Sequence, residues 1–477
     1  MRVFMHARRL IVAGGAAVGL AVVGLPAAHA DTQPPSVWSG YESPMVAPGT
    51  PGKTFQHQIG GNAATPTTIT GVTVTYDVTG LAGVATLAPQ SGKCSTSGTL
   101  VTCHVGSISA TQIGGGPSTT PYSGTEYLPL KLTPVAGAAA GATGTITATV
   151  SANSVAASSS TITVSLADGP DLQLNPPTPS FQIVPVGAGS AYYRAVKFSN
   201  VGNQAALGVT IEIESDAYGL DIPEVHSNCQ YSAPTTAYCY IPDRVAPGAS
   251  ETLSPAVEVL TTTDLMWEGL RITVVPGYAA LPIHTVGTGK PFILKDASGA
   301  AQKPVTGQTT QTNLDYIDSL AYLDLRVNGA TADLAATANI YWTDPGQYQV
   351  DLVPFNYGPG YIELGRSGSF MVTGDVVFPA GVTVTNVPNN WRQVANSTPG
   401  VTEYQFDAGI NVPTGSGIYG GSAPIVVPQP GFAGDDGTFT VGINDQPATA
   451  FANTFIGNVD TNPSNDTTTF AIPAYGS

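Results

Sequence analysis

Apolar and polar positions alternate two by two along most of this chain. "TITGVTVTYDVTGLAGVATLAPQSGKC" (from Thr68) places Ile69, Val72, Val74 and Tyr76 among threonines, and "GTITATVSA…STITVSL" (Gly144 to Leu166) does the same twice. A period of two puts alternate side chains on opposite faces of a strand, and Gly, Pro, Asn and Asp punctuate the runs. Helical Leu/Glu/Lys/Arg periodicity is nearly absent. The pattern predicts an all-β protein made of short strands.

The pattern also repeats at domain scale. The stretch from Thr68 to Cys94 matches "AALGVTIEIESDAYGLDIPEVHSNC" (from Ala205), and "CHVGSI" from Cys103 stands beside "CYIPDRVAPGASETLSPAVEV" from Cys239. A third copy lacks the cysteines. "PDLQL…AVKFSNVGNQAA" (Pro170 to Ala206) is echoed by "ADLAA…VPFNYGPG" (Ala332 to Gly360). Trp391 falls on the first cysteine position and Gln405 on the second. The expected organisation is a leader at 1–30, units at 31–167, 168–300 and 333–477, and between the last two a piece at 301–332. That piece starts as a polar linker and ends in "LDYIDSLAYLDLRV", readable as a short helix or as an extra strand of the third unit.

The N-terminus combines Arg2, Arg8 and Arg9, an apolar run from Leu10 to Leu25, and Ala28 and Ala30 before Asp31. This is the three-part pattern of a secretory signal peptide, and the apolar run is shorter than the ~20 residues of a membrane span. Beyond it, 13 basic residues stand against 32 acidic ones with no basic cluster, which argues against nucleic acid as a partner. No membrane span is expected after cleavage. The apolar content of 42% is enough to build cores and excludes disorder.

All four cysteines lie in two close pairs, Cys94 with Cys103 and Cys229 with Cys239. In an oxidising compartment these spacings predict two local disulfides. Neither pair has the C-x-x-C spacing of a redox or zinc motif, and His104 and His226 are lone neighbours. No G-x-S-x-G or H-E-x-x-H occurs, the histidines after the leader (His57, His104, His226, His284) are scattered, and the serine of "GRSGSF" at Gly365 reads as turn punctuation. The remaining chemistry is carboxylate: Asp435 and Asp436 in "GDDG", Asp445 in "IND", and Asp460 and Asp466 in "NVDTNPSND". Oxygen-rich loops suit calcium, which makes Asp435, Asp436, Asp460 and Asp466 the calcium candidates. They lack the D-x-D-x-D-G register, and Asx-turns account for the same residues. Trp38, Trp267, Trp342 and Trp391, with the tyrosines of "AYYRA" and "YWTDPGQYQ", are core residues or a sugar-binding platform.

The succession "DLQL", "FSNVGNQAALGVTIEI", C-x9-C-Y-I, "VAPGAS" and "DTNPSNDTTTFAI" resembles repeat domains of unknown function on bacterial surfaces, immunoglobulin-like sandwiches akin to cell-adhesion-related domains. The resemblance spans residues 31–477 loosely and is clearest over the second and third units. It implies an extracellular structural, spacer or adhesive role with no catalytic residues and no cofactor. Many such proteins end in a wall-sorting motif of L-P-x-T-G type, whereas this sequence ends in "AIPAYGS", so the expectation is secretion with non-covalent association to the cell wall. Expected partners are cell-wall or extracellular polysaccharide or other surface proteins. A carbohydrate-binding module array is the alternative, and a secreted hydrolase with an unrecognised site a further one.

Overall fold

Alternation becomes two-sidedness wherever a strand covers a core. In the strand Thr143–Ala152, Gly144, Ile146, Ala148 and Val150 are buried, while the threonines between them face outward. Each fully buried Ile or Val stabilises the fold by roughly 1.5–3 kcal/mol, so the inward parity fixes the register of its neighbours. The structure is a computed structural model that describes residues 34–476 except 41–42, 64–66, 111, 114–121, 176–181, 216–218, 233, 266, 283, 297, 301, 303, 328–329, 361–370, 389–390, 395, 409–415, 418–422 and 445–459. Among the described residues there is no α-helix, only two short 3-10 turns between strands.

The strands form tandem immunoglobulin-like sandwiches with three separate apolar cores, one over Val37–Leu166, one over Leu172–Val327 and one over Ala332–Ile472. In the first sandwich one sheet runs Ser36–Ser39, Lys53–Ala63, Tyr122–Pro134, Ala85–Pro89. The facing sheet runs Met45–Val46, Val155–Leu166, Thr143–Ala152, Thr67–Asp77, Leu100–Ala110, Cys94–Ser97. In the second, a sheet of Leu172–Leu174, Lys197–Asn200, Ser250–Ser254 and Ile293–Asp296 is accompanied by a seven-stranded sheet centred on Ala206–Ser215 and a small sheet around Val257–Thr261. The third pairs Leu334–Asp344, Gln347–Asn356, Ile425–Pro428 and Val382–Thr385 in one sheet. Trp391–Val394, Thr402–Ala408, Met371–Phe378, Asp435–Asn444 and Thr467–Ile472 form the other.

Two sequence expectations change here. The run "LAYLDLRV" is a strand of the second sandwich and not of the third. It pairs antiparallel with Trp267–Pro276 (Leu323 opposite Leu270) and parallel with Gln182–Val186 (Leu325 opposite Val184). Its inward parity, Ala321, Leu323, Leu325 and Val327, completes the second core. The polar stretch before it is pinned to the same sandwich: Tyr278 N–H donates to Thr309 O, and Gln311 Oε1 accepts the Leu207 N–H.

The second correction concerns the third unit. Trp391 lies opposite Phe406, and Gln405 lies opposite Arg392, whose Nη2 donates to its Oε1 at 2.6 Å. The core-facing equivalent of the second cysteine is therefore Phe406, because Tyr404 and Phe406 share the inward parity and Gln405 points the other way. The Trp391 and Phe406 rings stack 4.8 Å apart at 9°, and Phe406 stacks in turn on Phe439.

The second and third sandwiches have a similar asparagine corner. Buried Asn200 accepts the Asp171 and Gly202 N–H groups on Oδ1 and donates to Gln204 O and Val245 O. In the third sandwich Asn356 accepts the Gly358 N–H and donates to Gly360 O. A Cβ at Gly202 or Gly358 would meet backbone atoms at 2.3 or 1.9 Å, so only glycine fits. Aromatic rings also fold over the glycines opposite them: Trp38 over Gly60, Phe406 over Gly374 and Phe470 over Gly437.

Phe406→Ala is predicted to lower the stability of the third sandwich by about 3–5 kcal/mol. Dithiothreitol should lower the transitions of the first two and leave the third in place. Differential scanning calorimetry, with limited proteolysis to assign the transitions, checks both.

Candidate functional site

The cysteines lie where neighbouring strands oppose each other. Cys94 is in register with Cys103, and Cys229 with Cys239; each pair is a disulfide. Cys103, Cys229 and Cys239 are fully buried. By loop entropy each bridge contributes roughly 2.5–3 kcal/mol.

The calcium candidates fall into two places. Asp435 and Asp436 are exposed at the start of the strand Asp435–Asn444, where Asp436 N–H donates to Asp435 Oδ1. Asp466 lies near the other end of the same strand pair, since its carbonyl accepts the Val441 N–H. The registers Asp435–Ile472 and Thr440–Thr467 are five residues apart, roughly 17 Å at ~3.4 Å per residue. Asp460 serves the fold directly: Oδ2 accepts the Leu334 N–H and Oδ1 the Asn462 N–H. Asn465 Nδ2 donates to Asp333 Oδ1. The Asp466 carboxyl is pushed up to about 7 by burial and by Asp460 and Asp333 beside it. Among the described residues no three His, Cys, Asp or Glu side chains are placed to hold a metal ion. Asp445 and the serine of "GRSGSF" lie outside the described residues, as does the leader.

The histidines stay apart, each with a local partner. His57 is buried edge-on to Tyr76, His104 is exposed beside Thr73, His226 packs on Phe292 with Nδ1 at Lys290 O, and His284 contacts Leu281 O. A small concavity lined by Ile213, Ile222, His226, Tyr231 and Phe292 has room for about one water. Trp38 and Trp391 are half-buried, and the Trp267 side chain lies outside the description. Tyr341 and Trp342 are 50% and 64% exposed near the tip of the Leu334–Asn356 hairpin. As consecutive strand residues they point to opposite faces and cannot form one flat platform. Tyr193 of "AYYRA" is exposed and donates its hydroxyl to Glu258.

The most unusual polar assembly lies between the first two sandwiches. Lys53 opens the first unit's strand Lys53–Ala63 on the inward parity of Phe55, His57 and Ile59, and is 2% exposed. Its Nζ lies 3.0 Å from Asp171, 2.9 Å from Asp315 and 2.9 Å from Asp318, all residues of the second sandwich. Gln173 Nε2 donates to Thr54 O at 2.7 Å and to Asp318 Oδ2 at 3.0 Å, joining both units. Asn203 Nδ2 adds a bond to Pro48 O. Asn313 orders the acids: it accepts the Leu172 N–H and donates to Asp315 O, while the Asp315 N–H donates to Asp171 Oδ1.

Crowding shapes the charges in this cluster. Burial raises Asp318 to about 8, with Lys53 opposing and Asp315 and Asp171 adding to the rise; burial raises Asp171 too, against the pull of Lys53. Burial disfavours the Lys53 ammonium, but the charges of Asp318, Asp171 and Asp315 outweigh it and hold Lys53 above the ordinary lysine range. Sequence reasoning missed this site, although a lysine on the buried parity of an apolar strand was a legible signal.

No family model and no curated protein matches the sequence. Solved structures similar to it include the Dpr2 Ig1-Ig2 complex with DIP-Theta Ig1-Ig3 (9% identity, TM-score 0.20, 92% of this chain and 99% of that one). A putative membrane anchored protein from Corynebacterium diphtheriae gives 10% identity and TM-score 0.15 over 93% and 96% of the two chains. BcpA, the major pilin subunit of Bacillus cereus, gives 8% and 0.16 over 62% and 70%. At such identities and TM-scores the likeness carries nothing over to this chain.

The raised carboxyls set a pH dependence. Glu251, buried near Asp296 and Asp243, is pushed up to about 7 by burial and then by those charges. Glu251 and Asp466 therefore hold protons in the folded state where the unfolded chain has lost them. Their stabilisation is complete below the unfolded values of about 4 and is lost as pH rises to about 7. Thermal melts by circular dichroism should give a melting temperature at pH 5.5 above that at pH 8, by on the order of a few degrees. Glu251→Gln and Asp466→Asn should each flatten the trend.

Proposed function

We infer that this chain is a secreted, non-enzymatic structural protein of the bacterial surface or extracellular matrix, with tandem sandwiches serving as a spacer or adhesion-type scaffold. The observation that carries this reading is the Lys53 junction: a buried charged contact between consecutive units suits a chain that must hold its domains in fixed relative orientation. The two disulfides support an oxidising, extracellular setting, in keeping with the leader pattern. The recurrent features, a buried asparagine corner in the second and third units, an aromatic ring over a glycine in the first and third, and inward parities throughout, serve folding. Of the third unit's carboxylates, Asp435 and Asp460 accept backbone N–H groups. Partners are surface polysaccharide or other surface proteins, reached from exposed side chains such as Tyr193, Tyr341 and Trp342.

The test is retention. The mature protein, incubated with producing cells, purified cell wall and a glycan array, should bind cells or wall and be released without cleavage of either. Peptide, ester and glycoside substrates should turn over only at background rates, with or without calcium. Turnover that disappears in Asp436→Ala or Asp466→Ala would contradict the reading and make the third unit's carboxylates an active site.

A further inference from the structure

One ammonium needs one carboxylate for neutrality, yet Lys53 Nζ touches three, all within 3.0 Å. A carboxyl carbon lies one C–O bond, about 1.2 Å, from its oxygen. The Lys53 nitrogen is therefore close to the roughly 3–3.5 Å from which a bond to carbon can form. The acids differ in their surroundings. Asp171 accepts the Asp315 N–H on Oδ1 and Lys53 on Oδ2, an arrangement that suits a carboxylate. Asp318 accepts Lys53 and Gln173 Nε2 on Oδ2, while its buried Oδ1 has no hydrogen-bond partner. One oxygen of Asp318 is thus polarised by two donors, and the other is held by nothing.

We propose that Lys53 and Asp318 condense into an isopeptide bond that links the first and second sandwiches covalently, with Asp171 as the base and Gln173 as the donor to the developing oxyanion. The Lys53 ammonium first passes a proton to the Asp171 carboxylate. The free amine then adds to Cγ of the protonated Asp318 carboxyl, and Gln173 Nε2 stabilises the negative charge gathering on Oδ2. The nitrogen gives up a second proton, which with the Oδ1 hydroxyl departs as water as the C–N amide forms. An ammonium, a carboxylic acid and a carboxylate become an amide, a water and a neutral Asp171, with no change in oxidation state.

The surroundings favour this outcome. At neutral pH Asp318, raised by burial to about 8, carries the proton that its hydroxyl needs in order to leave. The amide replaces a buried ammonium and carboxylate, whose desolvation is costly. Asp315 and Asp318 keep 13% and 9% side-chain exposure, which leaves the product water a way out. The same neighbours hold Lys53 as the ammonium, so deprotonation makes the reaction slow; a bond formed once per molecule tolerates that. The proposal does not depend on the adhesive role.

Intact mass spectrometry of the unreduced, denatured mature protein reads it directly. The expected mass is that of the sequence with two disulfides less one water, and a digest should contain one branched peptide joining Lys53 to Asp318. Asp171→Asn should leave most molecules at full mass, and Lys53→Arg, which keeps the charge, should leave all of them there. Because the primary readout is the wild-type chain, misfolding of a variant does not blur the result. Wild-type protein that keeps its full mass after prolonged incubation at neutral pH overturns the proposal, as does a branch from Lys53 to Asp171 or Asp315.

Discussion

A lysine buried between two domains can be satisfied in very few docking geometries. Lys53 leaves the first sandwich with a charge that burial alone would make prohibitive, and Asp171, Asp315 and Asp318 of the second supply the compensation. Removing one partner of such a buried group costs roughly 3–5 kcal/mol, so any rotation that separates Lys53 from the acids is penalised heavily. The cluster adds little net stability compared with an apolar contact of the same size. Its effect is to select one orientation. Gln173, bonded at once to Thr54 O and Asp318, makes the same selection through geometry.

The second sandwich is built around that demand. Its acids come from two distant stretches, Asp171 at the first strand and Asp315 and Asp318 just before the strand Leu320–Val327. That last strand enters the sheet between Trp267–Pro276 and Gln182–Val186, which brings the preceding turn back to Asp171. The third sandwich meets a different problem, a core without a disulfide. It solves this with stacked rings, Trp391 on Phe406 on Phe439, over a glycine that leaves room for them.

Much of this was legible in the sequence, for physical reasons that can be named. Period-two alternation gave the strands, and the cysteine spacings gave the bridges, because both are local. The segment Leu314–Val327 was ambiguous because its strand partners lie about fifty and a hundred and forty residues earlier, and alternation alone cannot say which sheet a strand joins. The offset between Gln405 and Phe406 was lost for a similar reason: sequence alignment without cysteines leaves register free by one residue, while inward parity decides it. Asp460 was visible as an Asx-turn residue, but its bond to Leu334 depends on two ends of the third unit meeting. The Lys53 cluster was hidden most completely. Its four titratable side chains come from both sides of a domain junction, and only the parity shared with Phe55 and Ile59 hinted at burial.

The account turns on the claim that this cluster fixes the first two sandwiches relative to one another. Electron–electron double resonance between spin labels introduced without new cysteines at the exposed positions Leu100 and Val286 would measure it. The account predicts one narrow distance distribution in the wild-type chain and a broad one in Lys53→Met. A distribution that is broad in both, or equally narrow in both, would contradict it.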